Sequence, residues 1–189
     1  MTHDHHHNAE AQHHSHHSAE FRFCPKCGGA LVRRRIKATE PARRVCETCT
    51  FIFYDDPKVA ACTIPVLDNK IVLLKRGIEP SYGKWVFPGG FLDSGERVED
   101  AAIRETWEEV NLRVEVSRLL NVYSYPGYPV IVVVYLARVI GGQLQAMDET
   151  LEVQTFAPAE VPWDELAFPS TRDALTEYVA LIDAETAPR

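Results

Sequence analysis

Four cysteines in two closely spaced pairs place the strongest constraint on how the N-terminal part of this chain folds. The pairs are Cys24/Cys27 and Cys46/Cys49, each with the spacing Cys-x2-Cys, and eighteen residues separate them. Each pair presents two thiolates on one tight turn, and two such turns supply the four sulfur ligands of a closed tetrahedral Zn²⁺ site. Two disulfides would use the same residues, but a reducing compartment disfavours them. We therefore predict a small zinc ribbon over residues 21–55 with a structural Zn²⁺.

Histidine is confined to the N-terminal end. All eight histidines lie within the first seventeen residues. The rest of the chain therefore lacks Ser-His-Asp triads, Cys-His pairs and His-ligated catalytic zinc. A general base must be a carboxylate, Lys, Tyr or Cys. Residues 1–20 have no hydrophobic periodicity, and we expect a disordered His-rich tail with incidental affinity for metal ions. A second disordered tail is expected at 184–189.

Charge divides the remainder into two regions. Residues 21–55 carry 8 basic and 3 acidic side chains, whereas 56–183 and the tail after it carry 12 basic and 21 acidic ones. The net charge of −7 argues against general, charge-driven binding to nucleic acid or membranes, although the basic ribbon leaves a nucleic-acid contact open. No signal peptide or membrane span is expected, so we expect a cytoplasmic protein, and a homodimer is left open.

Strands and helices alternate after residue 56. We predict a hairpin of Val59–Leu67 and Lys70–Lys75 around an Asp68-Asn69 turn, because β-branched runs flank a turn dipeptide. Further predicted elements follow in order: a helix Arg97–Asn111, strands Val114–Val122 and Val130–Val139, a turn at Gly141-Gly142, a strand Leu151–Phe156, and a helix opened by Ser170. The fold class is a mixed sheet with helices, α/β or α+β.

The first of these helices carries a cluster of carboxylates. At 100° per residue, Glu105, Glu108 and Glu109 fall on one face. Ile103, Trp107 and Val110 form the opposite, apolar stripe, which should pack on the sheet. Hard oxygen ligands at this spacing suit Mg²⁺ or Mn²⁺. A solvated acidic face is the alternative that helix composition alone favours.

A longer motif surrounds these glutamates. Gly90, Glu96, Arg104, Glu105, Glu108, Glu109 and Leu112 match the pattern Gly-x5-Glu-x7-Arg-Glu-U-x-Glu-Glu-x-Gly-U, where U is apolar. Thr106 and Asn111 depart from it, and Asn111 tolerates the left-handed conformation that glycine usually supplies after a helix. The pattern resembles the Nudix box, and a ribbon followed by this box resembles the zinc-ribbon Nudix subgroup of ADP-ribose, FAD and NADH pyrophosphatases.

The resemblance implies a fold and an activity. It implies a Nudix α/β/α sandwich over 56–183 that hydrolyses the diphosphate of a nucleoside diphosphate linked to another moiety. Glu105, Glu108, Glu109 and the Gly89 carbonyl would bind Mg²⁺ or Mn²⁺, while Glu96 and Arg104 would hold the Gly90 loop against the helix. The general base would be a box glutamate, Glu149 or Glu152.

Basic and aromatic residues are the candidates for substrate contacts. Lys75, Arg76 and Lys84 flank the expected cleft, and Tyr123 and Tyr125 are candidates for stacking on a base. Residues 123–129 lack the NADH-type signature, so we expect ADP-ribose or FAD as substrate, releasing AMP. NADH or RNA-cap-type dinucleotides are the alternatives.

Two functions of other kinds are also weighed. One is a nucleic-acid or protein-binding module that uses the ribbon, with the Nudix fold as scaffold. The other is isopentenyl diphosphate isomerase, which shares the fold and relies on a reactive cysteine. The intact glutamates argue against the first. Cys62, expected in a strand far from the box, argues against the second.

Overall fold

The computed structural model describes residues 21–186, which form two compact units that divide between Asp56 and Pro57. The division lies within one residue of the change in charge along the sequence. The expected tail at 1–20 lies outside the described residues, as do 187–189. Residues 184–186 instead continue the last helix, which ends at Thr186.

The smaller unit is a three-stranded antiparallel ribbon. Its strands are β1 (Leu31–Arg34), β2 (Arg43–Cys46) and β3 (Ile52–Phe53), in that order across the sheet. The two cysteine turns lie at its ends, one before β1 and one between β2 and β3. Cys24, Cys46 and Val45 are buried, so the cysteine cluster forms much of the core of this unit.

The larger unit contains seven strands and two α-helices. These are β4 (Lys58–Leu67), β5 (Lys70–Arg76), β6 (Trp85–Val86), β7 (Gly89–Phe91), α1 (Val98–Val110), β8 (Leu112–Tyr123), β9 (Val130–Gly142), β10 (Thr150–Phe156) and α2 (Pro169–Thr186). The sheet order is β10-β5-β4-β9-β8, with β6 beside β5 and β7 beside β4. Within residues 21–186, β4 and β9 pair in parallel and the other strand pairs are antiparallel, apart from an isolated parallel bridge between Trp85 of β6 and Leu166. The sheet is therefore mixed, as predicted.

Side chains of β4 alternate between two packed layers. Ala61 packs with Ala101 and Ala102 of α1. Ile64, on the opposite face of the strand, belongs to the main core cluster with Leu175 of α2. Because successive side chains of a strand point to opposite faces, the two helices cover opposite faces of the sheet. The α/β/α sandwich is confirmed.

Most predicted elements are present with small shifts at their ends. Asp68 and Asn69 both have positive φ (51° and 60°), as a two-residue hairpin turn requires. The predicted turn at Gly141-Gly142 is wrong, because both glycines continue β9 and pair with Arg113 and Leu112 at the start of β8.

The last helix begins one residue earlier than Ser170. Proline is favoured at the first helical position, where its missing N–H has no helical partner to lose, and Pro169 occupies that position. Within the part of the chain that the structure describes, neither helix is long and apolar enough to cross a membrane.

Candidate active site

Helix α1 is defined at both ends by local sequence. Arg97 is extended, with φ −77° and ψ 144°, and Glu99 and Asp100 place negative charge in the first turn, where the helix dipole favours it. Asn111 ends the helix in the left-handed conformation, with φ 55°, and its N–H donates to the Trp107 carbonyl. Asparagine therefore performs the role expected of glycine at this position.

Arg104 ties the preceding loop to α1. Its guanidinium forms a two-pronged interaction with Glu96, with Nε 2.9 Å from Oε1 and Nη2 3.0 Å from Oε2. Glu96 Oε2 also accepts a hydrogen bond from the Asp93 N–H at 3.1 Å. These hydrogen bonds lower the pKa of Glu96 to about 2, with Arg104 as the main cause. The structure thus brings Glu96 and Arg104 together as the resemblance implied.

The same guanidinium also reaches the helix glutamates. Arg104 Nη1 lies 2.7 Å from Glu105 Oε1 and 2.9 Å from Glu108 Oε2. Gly90 lies against this cluster, and a Cβ added there would be 2.5 Å from the Glu105 Cδ. Glycine at position 90 therefore leaves the space in which the Glu105 carboxylate sits.

Five carboxylates line one open cavity of about 440 Å³. Three come from α1 and two from the segment before β10: Glu105, Glu108, Glu109, Asp148 and Glu149. Glu109 accepts a hydrogen bond from the Gly89 N–H at 2.8 Å. Desolvation, reinforced by the neighbouring Glu105, raises the pKa of Glu109 to about 8, and desolvation also raises the pKa of Glu105. The cavity concentrates more negative charge than the protein compensates.

Asp148 and Glu149 are held in place by backbone contacts at both ends of their segment. The Met147 N–H donates to the Glu109 carbonyl at 3.0 Å, and the Gly77 N–H donates to the Glu149 carbonyl at 2.6 Å. A Cβ at Gly77 would lie 2.4 Å from that carbonyl oxygen, so the close approach requires glycine. Sequence reasoning considered Glu149 but missed Asp148 and Gly77, because pairing between β5 and β10 brings them to the site.

The other residues expected at the site are not among those that line the cavity. Glu152 forms an ion pair with Lys75 at 2.9 Å and does not line the cavity. Arg76 is partly buried, donates to the Pro80 carbonyl, and lies close enough to Glu109 and Glu149 for their charges to oppose the fall in its pKa that burial causes. Lys84 lies beside it, since its carbonyl accepts the Arg76 N–H.

The two tyrosines are engaged with α2. The Tyr123 hydroxyl donates to Glu177 at 2.8 Å, and the Tyr125 hydroxyl donates to Asp173 at 2.6 Å. Neither residue lines the carboxylate cavity. The Tyr123 ring also packs against the main core, and the Tyr125 ring makes an edge-to-face contact with Tyr128, with 6.2 Å between the ring centres.

The prediction that Trp107 of α1 packs on the sheet is wrong. Trp107 is 43% exposed and its ring lies under the Arg113 guanidinium, 5.5 Å away. Val110 is buried as predicted, and the other buried positions are Ala101, Ala102 and Thr106. Thr106 faces the sheet and bonds to Thr63 of β4. Helical period identifies two faces but does not say which one meets the sheet.

Cys62 is closer to the box than expected. It pairs with Gly89 across β4 and β7, and a Cβ at Gly89 would lie 2.3 Å from its sulfur. Burial, with the charges of Glu109 and Glu105, raises its pKa well above the usual range. Distance from the box is therefore no argument against a catalytic Cys62. Its resistance to ionisation is, because a protonated thiol is a poor nucleophile.

The four ribbon cysteines form a separate cluster. Their sulfurs all lie within 4.8 Å of one another, with Cys24 and Cys49 3.7 Å apart and Cys27 and Cys46 3.5 Å apart. The Cys49 N–H points at the Cys46 sulfur, and this backbone hydrogen bond is the main cause that lowers the Cys46 pKa to about 6. The arrangement is that of a four-thiolate metal site.

Comparison with known proteins decides the family. The family model described as NUDIX domain matches residues 56–178, more than half of the chain. The chain belongs to the Nudix hydrolase family. A second family model, described as Nudix N-terminal, matches residues 22–55, which form the ribbon. The resemblance and the assignment as an enzyme are confirmed.

Named relatives differ in their reported substrates. This Nudix hydrolase is 43% identical over 119 residues to an ADP-ribose pyrophosphatase from Methanocaldococcus jannaschii, covering 61% of this chain and 69% of that protein. It is 28% identical over 157 residues to a NAD-capped RNA hydrolase from Vibrio atlanticus, covering 82% of this chain but 56% of the relative.

Solved structures agree with the fold. A Nudix hydrolase from Nitrosomonas europaea matches with TM-score 0.82 and 36% identity, over 88% of this chain and 94% of that one. An ADP-ribose pyrophosphatase from Streptococcus suis matches with TM-score 0.54 and 26% identity, over 70% and 95% of the two chains.

Proposed function

We propose that this Nudix hydrolase cleaves the diphosphate of ADP-ribose in a Mg²⁺-dependent reaction, releasing AMP and a phosphorylated sugar. The observation that carries the proposal is the cavity in which Glu105, Glu108 and Glu109 face Asp148 and Glu149. The relatives named ADP-ribose pyrophosphatase support the choice of substrate.

The donor set fits a divalent cation. Carboxylate oxygens are the ligands that Mg²⁺ and Mn²⁺ prefer. Glu109 accepts one backbone hydrogen bond, and among residues 21–186 no cationic side chain forms an ion pair with it. Glu105, Glu108, Glu109 and the Gly89 carbonyl would hold the cation. When bound, it would offset the charge of the diphosphate and withdraw electrons from phosphorus.

Residues of the chain would perform the remaining steps. Arg76, whose charge interacts with those of Glu109 and Glu149, would contact phosphate oxygens, with Lys84 beside it. A water molecule attacks one phosphorus, the bond to the bridging oxygen breaks, and each product leaves as a phosphate monoester. Glu149 would accept the proton of that water, because it lines the cavity and has no cation partner among the described ion pairs. Arg104 is a positioning residue that orients Glu105 and Glu108.

A second candidate substrate has its own support. Several relatives are named NAD-capped RNA hydrolase, and one of them aligns with 82% of this chain. Such a substrate contains the same type of diphosphate linkage, and FAD does too. Stacking of Tyr123 or Tyr125 on a base would favour adenine without requiring a nicotinamide-specific pocket.

Steady-state kinetics with identified products test the proposal. ADP-ribose, FAD, NADH and NAD-capped RNA are compared with Mg²⁺, with Mn²⁺ and with EDTA, and products are separated by anion exchange. We expect AMP from ADP-ribose with the highest kcat/KM, and no turnover in EDTA. A higher kcat/KM for NADH than for both ADP-ribose and FAD would contradict the substrate. Absence of any metal-dependent cleavage would contradict the reaction.

A single substitution tests the role of the cavity. Glu109→Gln keeps the shape of the side chain and removes its charge, so we expect the fold to persist. Loss of this group costs about 3–5 kcal/mol of transition-state stabilisation, or roughly two to four orders of magnitude in kcat. Glu115→Gln, which alters an exposed ion pair with Arg138, is the matched control. Retention of most activity by Glu109→Gln would refute the assignment.

A further inference from the structure

Two pairs of arginines lie directly opposite each other in the ribbon. The register of β1 and β2 places Arg33 opposite Arg44 and Arg34 opposite Arg43. Like charges at directly opposed positions destabilise an antiparallel pair. Arg44 is compensated, since Asp55 forms an ion pair with it. Within residues 21–186, neither Arg34 nor Arg43 has such a carboxylate partner.

The uncompensated pair adjoins an exposed aromatic ring. The Arg43 guanidinium lies over the Tyr54 ring, 5.3 Å from its centre, and Tyr54 is 51% exposed. The Arg43 Nε is buried and has no hydrogen-bond partner among the described residues. Arg34, Arg43 and Tyr54 thus form a continuous band across the strands, which we call the basic row.

The surroundings of the basic row are also cationic. Arg33 and Arg35 flank it and are exposed, and neither forms an ion pair within the described part of the chain. The ribbon has 8 basic against 3 acidic side chains, so a bound Zn²⁺ with four thiolates still leaves it positive. The unit therefore concentrates positive charge on a protein that is acidic as a whole.

We propose that the basic row binds a single-stranded nucleic acid. Phosphates would compensate Arg34 and Arg43, and a base would stack on the exposed face of Tyr54, since ring and guanidinium planes are the platforms that such strands use. An acidic peptide would satisfy the arginines but leave the aromatic face unused. A duplex would shield its bases from Tyr54. The proposal is independent of the substrate of the hydrolase.

Fluorescence anisotropy of the full chain with labelled oligonucleotides of about twelve nucleotides tests this inference. RNA and DNA strands of one sequence are compared, without Mg²⁺ so that no hydrolysis intervenes, in zinc-replete buffer. Tyr54→Ala should weaken binding about ten-fold, whereas Tyr54→Phe, which keeps the ring, should bind as the unmodified protein does. Arg34→Ala should weaken binding and reduce the salt slope by about 0.7. Arg118→Ala, an exposed arginine on β8, is the matched control.

Several outcomes separate the alternatives. Similar binding of RNA and DNA supports contacts to phosphates and base faces, and preference for one identifies the sugar as a further contact within the same site. Equal loss in Tyr54→Ala and Tyr54→Phe would overturn the stacking contact. Duplex binding as tight as that of the single strand, or competition by polyglutamate as strong as by an oligonucleotide, would overturn the proposal. So would binding that survives both Tyr54→Ala and Arg34→Ala.

Discussion

The hydroxyl oxygens of Thr63 and Thr106 lie 2.7 Å apart in the fully buried contact between β4 and α1. Thr106 donates its own hydrogen to the Ala102 carbonyl at 2.7 Å, so Thr63 must donate to Thr106. This hydrogen bond explains how a polar residue occupies a position where the Nudix pattern has an apolar one. Thr106 departs from the Nudix pattern, and Thr63 on the sheet supplies the hydrogen-bond partner that its buried hydroxyl needs.

The direction of this hydrogen bond predicts unequal effects of two similar substitutions. Thr106→Val removes the acceptor of the buried Thr63 hydroxyl and should destabilise the protein by about 1–3 kcal/mol. Thr63→Val leaves the bond from Thr106 to Ala102 in place and should cost less. Urea unfolding followed by tryptophan fluorescence measures both, because Trp85, Trp107 and Trp163 all lie in the larger unit. In the double variant Thr106→Val should cost less than it does alone. Equal losses in the two single variants would contradict the assigned direction.

Gly90→Ala should reduce activity without a comparable loss of stability. The added Cβ would lie 2.5 Å from Glu105 Cδ, and the flexible carboxylate can move away at little energetic cost. A displaced Glu105 no longer faces the other glutamates, so we expect kcat to fall at least about ten-fold, equivalent to about 1.4 kcal/mol. Gly141→Ala is the control, since its Cβ would meet nothing nearer than 3.9 Å. A large drop in melting temperature for Gly90→Ala would indicate a structural role instead.

Glu149 and Glu152 give a direct test of the general base. Glu149→Gln should lower kcat by about two to four orders of magnitude, because the side chain lines the cavity. Glu152→Gln should leave kcat near that of the unmodified enzyme, since it removes only a partly exposed ion pair with Lys75 worth about 0–1 kcal/mol. The ratio of kcat values at saturating Mg²⁺ is the measurement. The reverse order of effects would transfer the role to Glu152.

The ribbon cysteines should bind one zinc per chain and take no part in catalysis. Metal analysis is best done on protein lacking residues 1–20, because we expect the histidines there to bind metal ions too. Cys46→Ser should lose the zinc, since a structural site requires all four thiolates. Cys62→Ser, outside the cluster, should keep it. Less than about half an equivalent of zinc in reducing, metal-replete buffer would contradict the assignment.

Features set by neighbours in sequence were predictable. The turn at Asp68-Asn69 and the end of α1 at Asn111 follow from residues that adopt positive φ, and both are present. The spacing of Glu105, Glu108 and Glu109 required only the period of a helix. The clustering of the four cysteines likewise followed from their spacing in the sequence alone.

Features set by strand pairing were not predictable. Asp148 reaches the cavity because β10 pairs with β5, and nothing near residue 148 indicates that partner. Cys62 and Gly89 are far apart along the chain but adjacent across β4 and β7. The prediction that Cys62 lies far from the box, which rested on sequence distance, is therefore wrong. The exposure of Trp107 was not predictable for a related reason. The helical period of the sequence does not tell which face of α1 the sheet covers.

The backbone hydrogen bonds that hold the segment with Asp148 and Glu149 bear on how substrate specificity can change in such enzymes. Both of its anchors use main-chain atoms, at Met147 and at the Glu149 carbonyl opposite Gly77. The side chain at 149 can therefore be exchanged while the path of the chain is retained, whereas the positive φ of Asp148 (39°) favours Asp, Asn or Gly at that position. Evolution can vary the chemistry offered to a new substrate at position 149 without rebuilding the scaffold that presents it.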